Sequence, residues 1–203
     1  MNYLAIDTSG KNLTVLICNN GKVSVYHDDS CGVNHSVELM PKVEELAIKS
    51  GFDLKDADFF ACVVGAGSFT GIRIGVATVK AMCFAFNKPC LSITSFDTIA
   101  YNSQGGKVLA VSDAKHNGFY VCGYDGRTVC VEPTYVMRES LTKYLGEYEL
   151  LSFEPIKDLP ITVVSIAEGL EKAVSEKMGE VSSDLETLSP LYVRKSQAEE
   201  GRK

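Results

Sequence analysis

A glycine-rich stretch, Gly65-Ala66-Gly67-Ser68-Phe69-Thr70-Gly71, joins an apolar run to a long apolar segment. Loops of this kind at the start of a helix can hold phosphate on free backbone N–H groups, helped by the helix dipole. A Walker-type loop would end in Gly-Lys-Ser/Thr, whereas Gly71 is followed by Ile72 and Arg73. The glycines equally let a strand and a helix turn sharply and pack closely, which is the favoured reading. Asp7-Thr8-Ser9-Gly10 could hold a hydrated metal and nucleotide phosphates, yet it is also what a tight turn requires. Ser68, His35 and Asp7 suggest a hydrolase, but Ala66 and Thr70 occupy the two glycine positions of a nucleophile elbow. The three histidines, His27, His35 and His116, lack a second His or a Cys at ligand spacing. No catalytic residue, metal set or cofactor is therefore expected. Asp7 and Thr8, with Asp113 from further along the chain, remain weak candidates for contacting a nucleotide, the arrangement that an ATP-dependent small-molecule kinase would need.

The elements that position these residues follow from hydrophobic periodicity. Tyr3–Ile6, Leu13–Ile17 and Val23–Tyr26 read as three strands, with Asn20-Gly21 closing a type I′ hairpin between the last two. Val37–Ser50 carries Leu39, Val43, Leu46 and Ala47 at helical spacing, with Pro41 near its start and Gly51 placed to end it. Phe59–Gly65 is an uninterrupted apolar run, expected at the centre of a sheet covered on both faces. Ile72–Phe86 is apolar nearly all round. Ile72, Val76, Val79, Cys83 and Phe86 can face the sheet, and Ile74, Ala77, Ala81 and Ala85 must bury against something else, either the first helix or a partner helix. Beyond the strand at Pro89–Ile93 and a short helix from Ser95, the polar stretch Asn102–Gly106 marks a boundary between residues 1–103 and 104–203. Val108–Ser112, Phe119–Tyr124 and Thr128–Val131 repeat the three-strand opening. They are followed by a helical Leu141–Leu145, extended Leu150–Phe153 and Ile161–Val164, and a helix over Ala167–Glu176. The repetition predicts an α/β chain of two ribonuclease H-like lobes from an internal duplication.

A formal net charge of −6 argues against a broad phosphate-binding surface, so direct, tight binding of nucleic acid is not expected. The first ten residues lack a basic leader and no apolar stretch approaches a membrane span of about 20 residues, so a cytoplasmic location with no membrane association is expected. Seven cysteines without C-x-x-C spacing read as reduced thiols within the core.

Gly65–Gly75 (GAGSFTGIRIG) resembles the diagnostic loop of the TsaB/YeaZ family. Leu4–Ser9, His35-Ser36, Ser112-Asp113-Ala114-Lys115 and Pro190–Arg194 resemble further family motifs in matching order, so the likeness spans almost the whole chain. Two positions depart from the pattern: Ala66 stands where the family usually has Pro, and Val37 where Glu follows the His-Ser pair. The resemblance implies an actin-like ATPase (ASKHA) superfold of two lobes, related to sugar kinases and heat-shock chaperones but without a working active site. It also implies a role beside the catalyst TsaD, which transfers threonylcarbamoyl to adenosine in ANN-decoding tRNAs with TsaE as an ATPase partner. TsaD would bind helices of the first lobe, giving an expected interface of Leu39, Val43, Ile74, Ala77, Ala81 and Ala85, and the same face would form a homodimer when TsaD is absent.

Overall fold

Asn-Gly tolerates positive φ at both central positions of a two-residue hairpin. In a computed structural model, which describes residues 1–194, Asn20 and Gly21 adopt φ of 51° and 80°. They join β2 (Leu13–Asn19) to β3 (Lys22–Asp28), and β2 also pairs antiparallel with β1 (Tyr3–Asp7). β4 (Phe59–Val63) and β5 (Cys90–Ile93) extend the sheet in parallel, in the order β3-β2-β1-β4-β5. The centre is thus β1, not the Phe59–Gly65 run. An unbroken apolar run reports cover on both faces, which β4 has, and not its place in the sheet.

Alternation along these strands divides the core. Leu4, Ile6, Phe60 and Cys62 pack under α1 (His35–Ser50) and α2 (Phe69–Phe86). Tyr3, Ala5, Phe59 and Ala61 pack on the other face with α3 (Ser95–Ala100) and residues of the second lobe. α1 starts two residues earlier than its periodicity suggests and ends at Gly51, whose φ of 62° is the left-handed cap. Pro41 consequently lies inside the helix, on its exposed side. α2 starts three residues early because Ser68 Oγ accepts the Gly71 N–H at 3.3 Å.

The second sheet has the order β10-β9-β6-β7-β8, the same succession of three antiparallel and two parallel strands. Its strands are β6 (Lys107–Asp113), β7 (Gly118–Asp125), β8 (Thr128–Met137), β9 (Glu149–Ser152) and β10 (Ile161–Val163). β8 runs past its expected end at Val131 because a register shift opposite Val121–Gly123 absorbs Pro133, which has no amide to give the ladder. Where the first lobe has α1, this one has only a 3-10 turn over Arg138–Tyr144, and β9 reaches β10 without a helix. α4 (Ile166–Glu176) is the counterpart of α3 and lies against it between the sheets. The lobes are therefore the predicted ribonuclease H-like pair, repeated in their sheets and eroded in the helices of the second.

A buried polar joint holds them together. Thr94 and Asp97 cap α3 reciprocally, the Tyr124 hydroxyl donates to Asp97 Oδ1 at 2.9 Å, and Lys177 at the end of α4 donates to Oδ2 at 3.4 Å. The chain then returns to the first lobe. Ser182 exchanges both backbone hydrogen bonds with Cys90, Leu188 is buried in the first core, and the Leu191 N–H donates to the Val64 carbonyl at 2.7 Å. Six cysteines are buried free thiols and Cys130 is exposed. Burial pushes Cys83 and Cys122 up to about 12, which keeps both protonated.

Candidate functional site

The glycine loop is filled by its own chain. The Ser68 N–H donates to the Ser9 carbonyl at 2.7 Å, Ser95 N–H to the Gly65 carbonyl at 2.6 Å, and Ser95 Oγ to the Ala66 carbonyl at 2.7 Å. Thr8 Oγ1 donates to the Gly71 carbonyl at 2.7 Å, which ties the first turn of α2 to the end of β1. A Cβ at Gly67 or Gly71 would meet the Ser9 or Thr8 carbonyl oxygen, and one at Gly75 would lie 2.5 Å from Thr8 Oγ1. These glycines serve helix-to-strand contact, as favoured from the sequence.

Asp7 is 5% exposed, and its Oδ1 accepts from Ser9 N–H and Ser9 Oγ at 2.8 and 2.7 Å. Burial raises its pKa, only partly offset by those two bonds and by the nearby imidazoles of His35 and His27. Asp113 lies on the exposed rim of the other lobe, where it accepts from Lys115 N–H at 2.8 Å and Lys115 Nζ at 3.0 Å. A cleft of about 440 Å³ does open between the lobes, bordered by Lys11 and Asn12 on one side and by Phe153, Glu154 and Ser165 on the other. Lys11 Nζ closes on Glu154 Oε1 at 2.6 Å across it, and none of Asp7, Thr8 and Asp113 lines it. This cleft therefore does not involve the three nucleotide candidates. The hydrolase arrangement fares no better: Ser68 caps α2, while the His35 ring bonds the Asn12 carbonyl through Nε2 at 2.9 Å. Among the described residues no group of three His, Cys, Asp or Glu side chains could hold a metal.

The helical layer offers a surface instead. Residues along one side of α2, Ala77, Ala81 and Ala85, are exposed; Ile74 is half-buried, and Phe84 stands 85% exposed beside them. α2 is long and apolar enough by composition to cross a membrane, but Gly71, Ile72, Gly75, Val76 and Val79 pack on the first sheet. Two of the six expected interface residues are buried, although Val43 also borders the groove described below. Leu39 and Val43 are 1% and 0% exposed within the first core, because the apolar stripe of an amphipathic helix is the side it buries. The open side of α1 carries Val37, Met40 and Ile48. A groove of about 880 Å³, bordered by Met40, Pro41, Glu44, Ile48, Phe52 and Phe86, runs along it toward the end of α2. Sequence periodicity missed Val37, Met40 and Ile48, which lie outside the buried stripe of α1, as Phe84 lies outside that of α2.

A family model described as TsaD, tRNA N6-adenosine threonylcarbamoyltransferase, matches residues 26–150. The tRNA threonylcarbamoyladenosine biosynthesis protein TsaB of Escherichia coli is 31% identical over 61% of this chain and 55% of its own length. TsaB of Bacillus subtilis is 29% identical over 65% and 58%. The chain thus spans less than two thirds of the length of these curated relatives. The structure of YeaZ from Pseudomonas aeruginosa superposes with a TM-score of 0.80 at 21% identity, covering 94% of this chain and 99% of that one.

Proposed function

The chain belongs to the tRNA N6-adenosine threonylcarbamoyltransferase (TsaD) family, in its TsaB/YeaZ branch, and we propose that it is a non-catalytic subunit that docks TsaD and supports formation of threonylcarbamoyladenosine in ANN-decoding tRNAs. The observation that carries this reading is the open helical face: small side chains at Ala77, Ala81 and Ala85 allow close helix approach, and Phe84, Ile48 and Met40 stand exposed around them. Burying Phe84 alone would contribute about 1.5–3 kcal/mol. TsaE joins through that complex, tRNA is met through TsaD, and in the absence of TsaD the same face pairs with a second copy of this chain.

A non-catalytic reading is supported by the glycine loop, filled by its own chain, and by the interlobe cleft, which none of Asp7, Thr8 and Asp113 borders. A kinase of the same superfold is accordingly disfavoured. Titration of ATP into the isolated protein separates the two readings: the docking reading expects no saturable heat, and micromolar binding would revive the kinase. For the docking reading itself, size-exclusion with light scattering of the chain mixed with TsaD of the same organism should yield a heteromer, with threonylcarbamoylation of tRNA depending on this chain. TsaD eluting alone, and equally active without the chain, would refute it.

A further inference from the structure

The turn that follows β1 holds more short polar contacts than its hydroxyl protons can serve. Ser9 Oγ lies 2.7 Å from Asp7 Oδ1 and 3.1 Å from Ser95 Oγ, and Ser95 Oγ lies 2.7 Å from the Ala66 carbonyl oxygen. These contacts run in series from the end of β1 through the start of α3 to the glycine loop. Asp7, Ser9 and Ser95 are all buried, so the groups must satisfy one another. A serine hydroxyl has one proton to give and a carbonyl has none. With Asp7 ionised, Ser9 spends its proton on the carboxylate and Ser95 spends its own on Ala66, which leaves the Ser9–Ser95 contact as two facing lone pairs. A further proton completes the series, and within it the Asp7 carboxyl is the group able to carry one.

We infer that Asp7 is held as the neutral acid and heads a relay that acts as a pH-sensitive latch: its proton goes to Ser9 Oγ, the Ser9 proton to Ser95 Oγ, and the Ser95 proton to the Ala66 carbonyl. Oδ1 keeps a lone pair for the Ser9 N–H at 2.8 Å. The surroundings suit a neutral carboxyl. β2 sets Thr14 opposite it, β4 brings the buried Cys62 thiol, and α2 meets the neighbouring Thr8 through the uncharged Gly71 and Gly75. Burial pushes the carboxyl up, against the pull of the Ser9 bonds and of the imidazoles of His35 on α1 and His27 on β3. A Ser9 hydroxyl that has passed its proton to Ser95 no longer joins that pull. Below the folded pKa of Asp7 the latch is shut. Raising the pH through it ionises Asp7, turns the Ser9 proton back to the carboxylate and cuts the Ser9–Ser95 link. The end so released is the start of α3, which also carries Asp97 of the interlobe joint.

The test follows the Asp7 carboxyl carbon by NMR in the full-length chain labelled with isotopic aspartate, its resonance assigned by its loss in Asp7→Asn. In the wild type it should titrate above the ordinary value of 3.8, and the amide protons of Ser68 and Ser95 should lose protection from exchange as it does. Ser95→Ala removes the acceptor of the Ser9 proton, which turns back to the carboxylate, so the midpoint should fall by about one unit, tenfold in proton affinity. Ser68→Ala, whose hydroxyl caps α2 outside the relay, should leave the midpoint where it was. A wild-type midpoint at or below 3.8, or a Ser95→Ala midpoint equal to that of the wild type, overturns the relay. If Ser95→Ala does not fold, amide exchange in the wild type decides. Protection at Ser68 and Ser95 that falls through the Asp7 midpoint supports the latch, and protection unchanged across it overturns it.

Discussion

Replacing Gly75 by alanine separates the two roles open to the glycine-rich segment. An ideal Cβ at this position lies 2.5 Å from Thr8 Oγ1 and 3.2 Å from Cys62 Sγ, so it falls about 0.9 Å short of ordinary contact with the hydroxyl. Thr8 cannot simply turn away: it is buried, and its hydroxyl is engaged with the Gly71 carbonyl. Either α2 lifts from β1 or that bond breaks. Overpacking of this kind costs about 1–3 kcal/mol, and loss of the bond about 1 kcal/mol more. Against these runs a helix-propensity gain of about 1 kcal/mol for alanine over glycine. The balance is a loss of about 1–3 kcal/mol, or roughly 3–10 °C in Tm for a chain of this size. Differential scanning calorimetry of Gly75→Ala, with Gly10→Ala as control because its nearest neighbour lies at 3.8 Å, reads it directly. A Gly75→Ala protein as stable as wild type would refute the close-packing account of these glycines.

Other consequences concern charge and burial. Asp7 has its pKa raised in the folded chain by burial, so the native state holds its proton more tightly than the unfolded chain, and this group's contribution to stability falls as pH rises from about 3.8 through the folded value. Asp7→Asn should therefore flatten that part of the Tm–pH curve; an unchanged curve would show that Asp7 ionises as freely as in the unfolded chain. Leu39→Ala, which empties a site in the first core, should cost about 2–5 kcal/mol, whereas Phe84→Ser on the open face should leave denaturant midpoints within about 0.5 kcal/mol of wild type. Equal costs for the two would contradict the division of the helical layer into core and open sides.

Much of the first lobe is legible from local chemistry. Asn20-Gly21 and Gly51 need left-handed backbone and mark their turns, and the alternating strands sort themselves between two cores. The open side of α1 was not legible in the same way. Periodicity finds the buried stripe, so Leu39 and Val43 stand out because they are core, while Val37, Met40 and Ile48 break the pattern and pass for noise. α2 differs because one helix cannot bury apolar side chains on every side, and the excess betrays the open face. Short strands such as β10, three residues long, are too brief to show a period, and the Leu141–Leu145 helix proved a 3-10 turn for want of an apolar stripe longer than one turn. Whether Gly65–Gly71 cradles phosphate or contacts a strand depends on where the Thr8 and Ser9 carbonyls lie, a long-range fact that the loop's own residues do not contain.

The central claim is that the exposed side of α2 carries the partner. Ala81→Arg places a charge in the middle of that side, and desolvating it against a docked helix should cost about 3–5 kcal/mol, at least two orders of magnitude in Kd. Light scattering after size-exclusion, with TsaD of the same organism in equimolar mixture, is the measurement. The account predicts a heteromer for the wild type, separate peaks for Ala81→Arg, and an unchanged melting temperature for the variant alone. A full-sized heteromer containing Ala81→Arg would contradict it.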